Sequence, residues 1–157
     1  MKLQKLIASI LICQLAGLIG SIFTFESIPT WYASLEKPFF TPPGWLFGPV
    51  WITLYTLMGI SLYLVWQKGF RKRGNKIALY VFAAQLALNA MWSVAFFGLR
   101  STFYGLVTIV PLWIAIAATI ILFYKISKKA GWLLVPYILW VSIATALNFY
   151  IWQLNFG

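Results

Sequence analysis

Histidine and aspartate are absent from this 157-residue sequence, and its only acids are Glu26 and Glu36. Hydrolytic enzymes need a general base or an activated nucleophile, and zinc sites need His, Cys or carboxylate ligands. The sequence contains no such set, so we expect neither acid–base catalysis nor a metal site. Proton-driven transport is also disfavoured, because it depends on ionisable side chains inside the membrane.

Sulfur is almost as scarce. Cys13 is the only cysteine, so no internal disulfide can form. Haem could not be held through histidine, and nothing in the sequence supports ligation by a Tyr, by Cys13, or by Met58 or Met91. We therefore expect no obligatory cofactor.

Apolar residues, in contrast, are abundant: 62% of the chain is hydrophobic and only 9% is charged. Charge-free runs occupy about 6–25, 45–67, 77–98, 103–124 and 131–154. Each run is close to the roughly 20 residues that a helix needs to cross a bilayer. Their continuous apolarity excludes a β-barrel, whose strands alternate. The sequence predicts an all-α membrane protein, a single domain over 1–157 with five transmembrane helices, which Pro49, Pro111 and Pro136 are expected to kink.

Cations are distributed very unevenly between the two ends of these runs. The end that carries the N-terminus holds ten of the twelve: Lys2, Lys5, Lys68, Arg71, Lys72, Arg73, Lys76, Lys125, Lys128 and Lys129. Only Lys37 and Arg100 lie at the other end. The positive-inside rule then predicts a cytoplasmic N-terminus and an external C-terminus. A short, basic-inside chain without a transit peptide fits a bacterial plasma membrane better than a mitochondrial one. We expect these cations to meet lipid head groups and not nucleic acid.

The connection between the first two runs, 26–44, is rich in proline and aromatic residues. It contains Pro29, Trp31, Tyr32, Pro38, Phe39, Phe40, Pro42 and Pro43. Such a segment can fold over the bundle as a lid, since proline stiffens it and the rings supply apolar area. It can equally be an aromatic belt at the membrane surface. Composition alone leaves both interpretations open.

Within the runs, amide side chains alternate with aromatic ones at helical spacing. Gln85, Asn89, Trp92, Ser93 and Phe96 share one helical face, and so do Tyr137, Trp140, Ala144, Asn148 and Trp152. A rise of about 1.5 Å per residue places Trp51, Trp92 and Asn148 at one depth, roughly 9 Å below the outer surface. This predicts an aromatic pocket with a few polar groups, the usual form of a small-molecule site. The alternative is that the amides are packing contacts and the indoles are interface anchors.

Several motifs carry a family resemblance. They are Trp31-Tyr32-x-x-Leu35-x-Lys37-Pro38-x-Phe40-x-Pro42-Pro43, Val50-Trp51, Gln85-Leu86-x-Leu88-Asn89-x-x-Trp92-Ser93-x-x-Phe96-Phe97, Pro136-Tyr137-x-x-Trp140 and Ala144-Thr145-x-Leu147-Asn148. Together they resemble the TspO/MBR family of tryptophan-rich sensory proteins, related to the mitochondrial translocator protein. The resemblance implies a five-helix bundle, often a homodimer, whose cavity is closed by the first loop and binds porphyrins, sterols and benzodiazepine-type drugs.

Transferred onto this chain, the resemblance implies a defined set of ligand-binding residues. They are Tyr32, Pro42, Trp51, Tyr55, Asn89, Trp92, Ser93, Trp140, Ala144, Leu147 and Asn148. Two departures stand out: Phe40 replaces a Trp of many relatives, and no basic residue follows Asn148, where the animal proteins have a sterol-recognition segment.

The function this implies is a membrane receptor or carrier for tetrapyrroles such as protoporphyrin IX and haem-related rings, and for benzodiazepine-type ligands, in a sensory, regulatory or transport role. An alternative is an enzyme that degrades protoporphyrin IX with light and oxygen, in which Trp51 and Trp140 supply oxidisable rings. A passive transporter or scaffold is a third possibility.

Overall fold

A computed structural model describes residues 2–156. Its helices are α1 (Lys2–Ser27), α2 (Gly44–Gln67), α3 (Arg73–Ser93), α4 (Thr102–Ile126), α5 (Lys128–Leu133) and α6 (Val135–Phe156). π-Helical turns continue α1 through Ile28–Tyr32 and α3 through Val94–Gly98. Five helical segments are long and apolar enough to cross a membrane: Lys2–Tyr32, Gly44–Gln67, Arg73–Gly98, Thr102–Ile126 and Lys128–Phe156. The prediction of an all-α, five-span membrane protein is confirmed.

The helices pack so that α1 contacts α2 and α3, while α3 contacts α4 and α4 contacts α6. Large apolar side chains cover the outside of the bundle. On α1, for example, Leu11, Leu15 and Leu18 are each more than half exposed. In water this surface would be unfavourable, but in lipid it is not, because the acyl chains are themselves apolar.

The first connection is shorter than predicted. Helical structure does not stop near Phe25 but continues to Ser34, so the irregular segment is only 35–43. Ile28, Trp31 and Tyr32 continue the helical spacing and pack against the core, which stabilises the extra turns. Proline at 29 has no N–H to bond to the preceding turn, and the helix widens there into its π-helical form.

The fifth span is broken near its inner end. Pro136 was expected to kink this span, but the interruption lies just before it, at Leu134, between α5 and α6. Proline is therefore in the first turn of α6, where a missing N–H costs no helical hydrogen bond. Pro49 and Pro111 lie inside α2 and α4.

The end of the bundle that carries the N-terminus, called here the inner half, is tightly packed. A β-carbon added at Gly59 of α2 would come within 2.5 Å of the Ile10 Cα, so glycine is what allows α1 and α2 to approach this closely. Phe82 stacks on Phe123 with ring centroids 5.3 Å apart. The Ser61 hydroxyl is buried and donates to the Ala130 carbonyl over 2.7 Å.

Candidate functional site

The opposite, outer half of the bundle contains a cavity of about 940 Å³ between α1 and α2. Its walls are formed by α1 from Leu11 to Pro29, by α2 from Gly44 to Tyr55, and by Trp92, Ser93 and Phe97 at the end of α3. Lining residues of both helices are largely exposed, among them Leu18 of α1 at 60% and Trp45 of α2 at 74%. The cavity therefore opens sideways between α1 and α2, toward the membrane.

A continuous row of aromatic rings forms the inner wall of this cavity. Trp51 stacks on Tyr55 at 5.6 Å between centroids and lies 6.4 Å from Trp92. Trp92 in turn stacks on the buried Phe96 at 5.6 Å, which supports it from behind. The rings of Trp51, Tyr55 and Trp92 join α2 to α3 and line the cavity with aromatic surface.

Behind that wall, a relay of buried hydrogen bonds links three helices. The Tyr55 hydroxyl donates to Asn89 Oδ1 over 2.5 Å, and Asn89 Nδ2 donates to the Tyr137 oxygen over 2.7 Å. Tyr137 donates to Gln85 Oε1 over 2.7 Å. Asn89, Gln85 and Tyr137 are each about 1% exposed. Since their polar groups are paired with one another, these residues fix the position of Tyr55. None of the three lines the cavity.

A second buried amide holds Trp92 in place. Trp92 Nε1 donates to Asn148 Oδ1 over 3.1 Å, and Asn148 Nδ2 donates to the Thr102 carbonyl over 2.8 Å. These bonds tie α3 to α6 and α4. Together with the 6.4 Å between the Trp51 and Trp92 rings, they bring the three residues predicted to share one depth into one cluster of side chains.

Two buried polar atoms belong to residues that pack against Phe47 but do not line the cavity themselves. The ring of Phe47 is 6.2 Å from that of Tyr32 and 6.0 Å from that of Trp140. Within the described residues, neither the Tyr32 hydroxyl nor Trp140 Nε1 has a hydrogen-bond partner, although both atoms are buried. Phe47 also lines the cavity, so it is a part of the cavity wall against which both Tyr32 and Trp140 pack.

The segment 35–43 is fastened to the outer end of α6. Glu36 N donates to Asn155 Oδ1 and Asn155 Nδ2 donates to the Glu36 carbonyl, each over 3.0 Å. Phe40 contacts Tyr150 edge to face at 5.8 Å. Lys37 Nζ lies 4.9 Å from the centre of the Tyr32 ring. These contacts hold the segment over the bundle and favour the lid interpretation over a simple aromatic belt.

The eleven predicted site residues therefore fall into different environments. Four of them line the cavity: Trp51, Tyr55, Trp92 and Ser93. Three more lie in the hydrogen-bonded or packed interior: Asn89, Leu147 and Asn148. Tyr32 and Trp140 pack against Phe47, while Ala144 packs against the core and Pro42 is half-buried in the irregular segment.

Sequence reasoning missed the wall that α1 contributes. Gly17, Gly20, Ser21 and Thr24 all line the cavity and share one face of α1. At Gly17 an added β-carbon would collide with the ring of Tyr55. The available signal was the spacing of these small and hydroxyl residues within an otherwise bulky apolar helix. Among residues 2–156, no group of three His, Cys, Asp or Glu could hold a metal ion.

The fold and the site define a class: a multi-pass helical membrane protein with an aromatic cavity that opens to lipid. Residues 9–153 match the TspO/MBR family. The chain is 51% identical over 155 residues, 99% of both chains, to "Tryptophan-rich protein TspO" of Archaeoglobus fulgidus. It is 41% identical over 141 residues to the human "Translocator protein", covering 88% of this chain and 83% of the relative.

A third relative is the "Tryptophan-rich sensory protein" of Cereibacter sphaeroides, 39% identical over 127 residues that cover 81% of this chain and 78% of the relative. The chain belongs to the TspO/MBR family. Membership, with relatives named as sensory and translocator proteins, supports a membrane receptor or sensory role.

Proposed function

We propose that this chain is a membrane receptor or carrier that binds tetrapyrroles, and benzodiazepine-type ligands of similar flatness, in the aromatic site beneath the first loop. One observation carries the proposal: Tyr32 and Trp140 hold buried, unpaired donors next to an aromatic cavity. Buried polar atoms are nearly always paired, because leaving one unpaired costs free energy. A ligand with acceptor atoms at its edge would pair both.

The shape and chemistry of the cavity support a flat, conjugated ligand. Its volume of about 940 Å³ suits a large ring system, and Trp51 and Trp92 supply aromatic faces for stacking. Lys37 lies beside the Tyr32 ring, at an end of the bundle that otherwise has few cations. An acidic substituent of a porphyrin would find a counter-charge there. The sideways opening suits ligands that partition into lipid.

Phe47 must move for one ligand to occupy the cavity and reach both donors. Its ring packs against both Tyr32 and Trp140 and is only partly buried. We infer that ligand binding displaces this ring and that the lid segment, fastened by Asn155, closes the site above it.

Titration of the purified chain with protoporphyrin IX in the dark tests the proposal. Trp140→Ala should weaken binding about tenfold, since it removes an aromatic contact and a donor. Trp113→Ala is the matched control: Trp113 lies on α4, away from the cavity, and donates to Ser142 over 2.8 Å. Equal losses at both positions would mean that the indoles act as interface anchors and would refute the proposal.

Light- and oxygen-dependent degradation of the bound porphyrin is a second candidate. The observation that favours it is the position of Trp51, which lines the cavity and stacks on Tyr55, so an oxidisable indole would lie against the ligand. Porphyrin would absorb the photon and oxygen would be the oxidant. Neither Glu26 nor Glu36 lines the cavity, so the rate should show no carboxylate titration.

Illumination separates the two candidates. Trp51→Phe and Trp140→Phe retain an aromatic wall but remove the easily oxidised indole. Darkness should abolish turnover by the wild-type chain, and the Phe variants should bind porphyrin but degrade it more slowly. Wild-type degradation rates in both variants would eliminate the Trp-assisted enzyme and leave the receptor.

We also propose a bacterial plasma membrane location with the N-terminus in the cytoplasm. In support, Lys5 Nζ lies 5.5 Å from the Trp66 ring, which brings the basic N-terminal segment to the same end as the basic residues after α2. A reporter fused to the C-terminus that is active only in the cytoplasm should be inactive. An active reporter would show that the orientation is opposite to the one proposed.

A further inference from the structure

A second pocket lies at the inner end of the bundle, about 390 Å³ in volume and far from the aromatic cavity. It forms where α2 ends, α3 begins and α4 ends. Lys68, Lys72 and Lys125 line it, one from each of these helix ends. Leu122 and Ile126 give it an apolar side. Three lysines from three helix ends thus line one space.

No carboxylate in the described chain can neutralise these cations. Glu26 and Glu36 are the only acids of the sequence, and both lie at the outer end of the bundle, a membrane thickness away. Lys68 and Lys125 are at the C-terminal ends of α2 and α4, where the helix dipole favours a positive charge. Those two positions are explained without any ligand.

Lys72 is not explained in this way. It is the residue that caps the start of α3, where the helix dipole is positive and a cation is unfavourable. The first turn of α3 contains no acid, and no side chain caps it. Arg73 and Lys76 add further positive charge to the same turn. The start of α3 and three lysines therefore line one pocket, and none of the described residues supplies an anion to it.

The turn that connects α2 to α3 is held in one conformation. Gly69 has φ +76°, a left-handed conformation that suits glycine and ends α2 sharply. Asn75, which is buried, donates from Nδ2 to the Gly69 carbonyl over 2.6 Å. This bond ties the start of α3 to the end of α2, so Lys68 and Lys72 line the pocket from a rigid turn.

We propose that this pocket binds the phosphate group of an anion, supplied by an anionic phospholipid of the adjacent leaflet or by soluble phosphate. Lysines and free N–H groups at a helix start are donors suited to phosphate oxygens. Basic pockets between helix ends at a membrane surface are suited to lipid head groups, and Leu122 and Ile126 would meet the upper part of an acyl chain. The site is independent of the porphyrin proposal.

The experiment uses the full chain, purified in a neutral detergent at about 0.15 M salt, where diffuse surface attraction is largely screened. Native mass spectrometry measures binding of phosphatidylglycerol against phosphatidylcholine. The test variant is Lys68→Gln/Lys72→Gln/Lys125→Gln. The control is Arg71→Gln/Lys76→Gln/Lys129→Gln, which removes the same charge from exposed positions at the same end but outside the pocket.

We expect the pocket variant to lose about tenfold or more of its phosphatidylglycerol affinity and the control to change less than about threefold. A second arm adds inorganic phosphate: displacement of the lipid, or saturable phosphate binding that the pocket variant loses, identifies soluble phosphate as a ligand, and no effect identifies the lipid alone. Equal losses in both variants, or no loss in either, would overturn the proposal.

The single variant Lys72→Gln tests the site even if the triple variant fails to fold. It removes an unfavourable cation from the start of α3, so the unliganded chain should be no less stable in thermal unfolding. Its phosphatidylglycerol affinity should nevertheless fall, by about fivefold. Unchanged affinity would contradict the proposed site, as would a parallel loss of stability without lipid.

Discussion

The two halves of the bundle are built from similar apolar helices but are packed differently. In the inner half, α1 and α2 touch at Gly59 and Ile10, and the buried hydroxyl of Ser61 has a partner. In the outer half, the same two helices separate around a cavity of about 940 Å³, and the Tyr32 and Trp140 donors are unpaired. Packing that is optimal for stability thus gives way to packing that leaves room for a ligand.

The boundary between the two halves is the hydrogen-bond relay from Tyr55 through Asn89 to Tyr137. It supports the aromatic wall of the cavity from behind. The wall keeps its shape without a ligand, because Tyr55 and Trp92 are each fixed by a buried amide. The inner half is therefore a scaffold, and the outer half is the region free to adapt.

The largest expected effect comes from filling the tight contact in the inner half. Gly59→Ala places a β-carbon against the backbone of Ile10, which cannot move aside as a side chain would. We expect the free energy of unfolding in detergent to fall by about 1–3 kcal/mol. Gly48→Ala is the control, because nothing lies within 4 Å of a β-carbon added there in the outer half. A comparable loss of unfolding free energy in Gly48→Ala would show that the two halves do not differ in packing.

A smaller effect is expected from the amide that fixes the cavity wall. Asn148→Ala leaves Trp92 Nε1 and the Thr102 carbonyl without their partner. Interhelical hydrogen bonds in membranes contribute about 0.6–1.7 kcal/mol, so we expect a stability loss near 1 kcal/mol. Porphyrin affinity should also fall, since the Trp92 ring is freed. Loss of stability with affinity unchanged would show that Trp92 does not contact the ligand.

The smallest effect concerns the lid. Asn155→Ala removes both hydrogen bonds to the Glu36 backbone, which are exposed at the surface. Stability should change by less than about 0.5 kcal/mol. Stopped-flow measurements should instead show faster porphyrin release, because the segment 35–43 is less firmly held. Unchanged release would mean that the segment does not close the site.

Much of this architecture could be predicted from the sequence, for reasons that particular residues illustrate. Five uninterrupted apolar runs can only be spanning helices in a bilayer. Counting residues from the ends of the runs was enough to place Trp51, Trp92 and Asn148 at one depth, because helical rise is constant. Counting cannot show which polar groups are already paired: Asn89, which the resemblance implies as a ligand-binding residue, has a hydrogen bond at each end of its amide within the relay.

What the sequence could not provide is the separation of neighbouring helices. The spacing of the small and hydroxyl residues of α1 marks a face of the helix, but it does not show how far this face lies from α2. Nor could the spacing show that Phe47 packs against both Tyr32 and Trp140. These features arise from contacts between distant segments. The predicted first loop was too long for a related reason. Its early residues extend α1 because their side chains pack against the core.

The most direct test makes the same chemical change in both environments: Tyr32→Phe in the outer half and Tyr137→Phe in the relay. Each variant is assayed for unfolding stability without ligand and for protoporphyrin IX affinity in the dark. Tyr137 donates to Gln85 and accepts from Asn89, so its loss should reduce stability by about 1–2 kcal/mol.

Among the residues that the structure describes, the Tyr32 hydroxyl has no hydrogen-bond partner to lose. Tyr32→Phe should therefore leave stability unchanged or slightly higher, while porphyrin affinity falls about fivefold for one missing hydrogen bond. A Tyr32→Phe chain that is less stable but binds porphyrin as the wild type does would contradict the account.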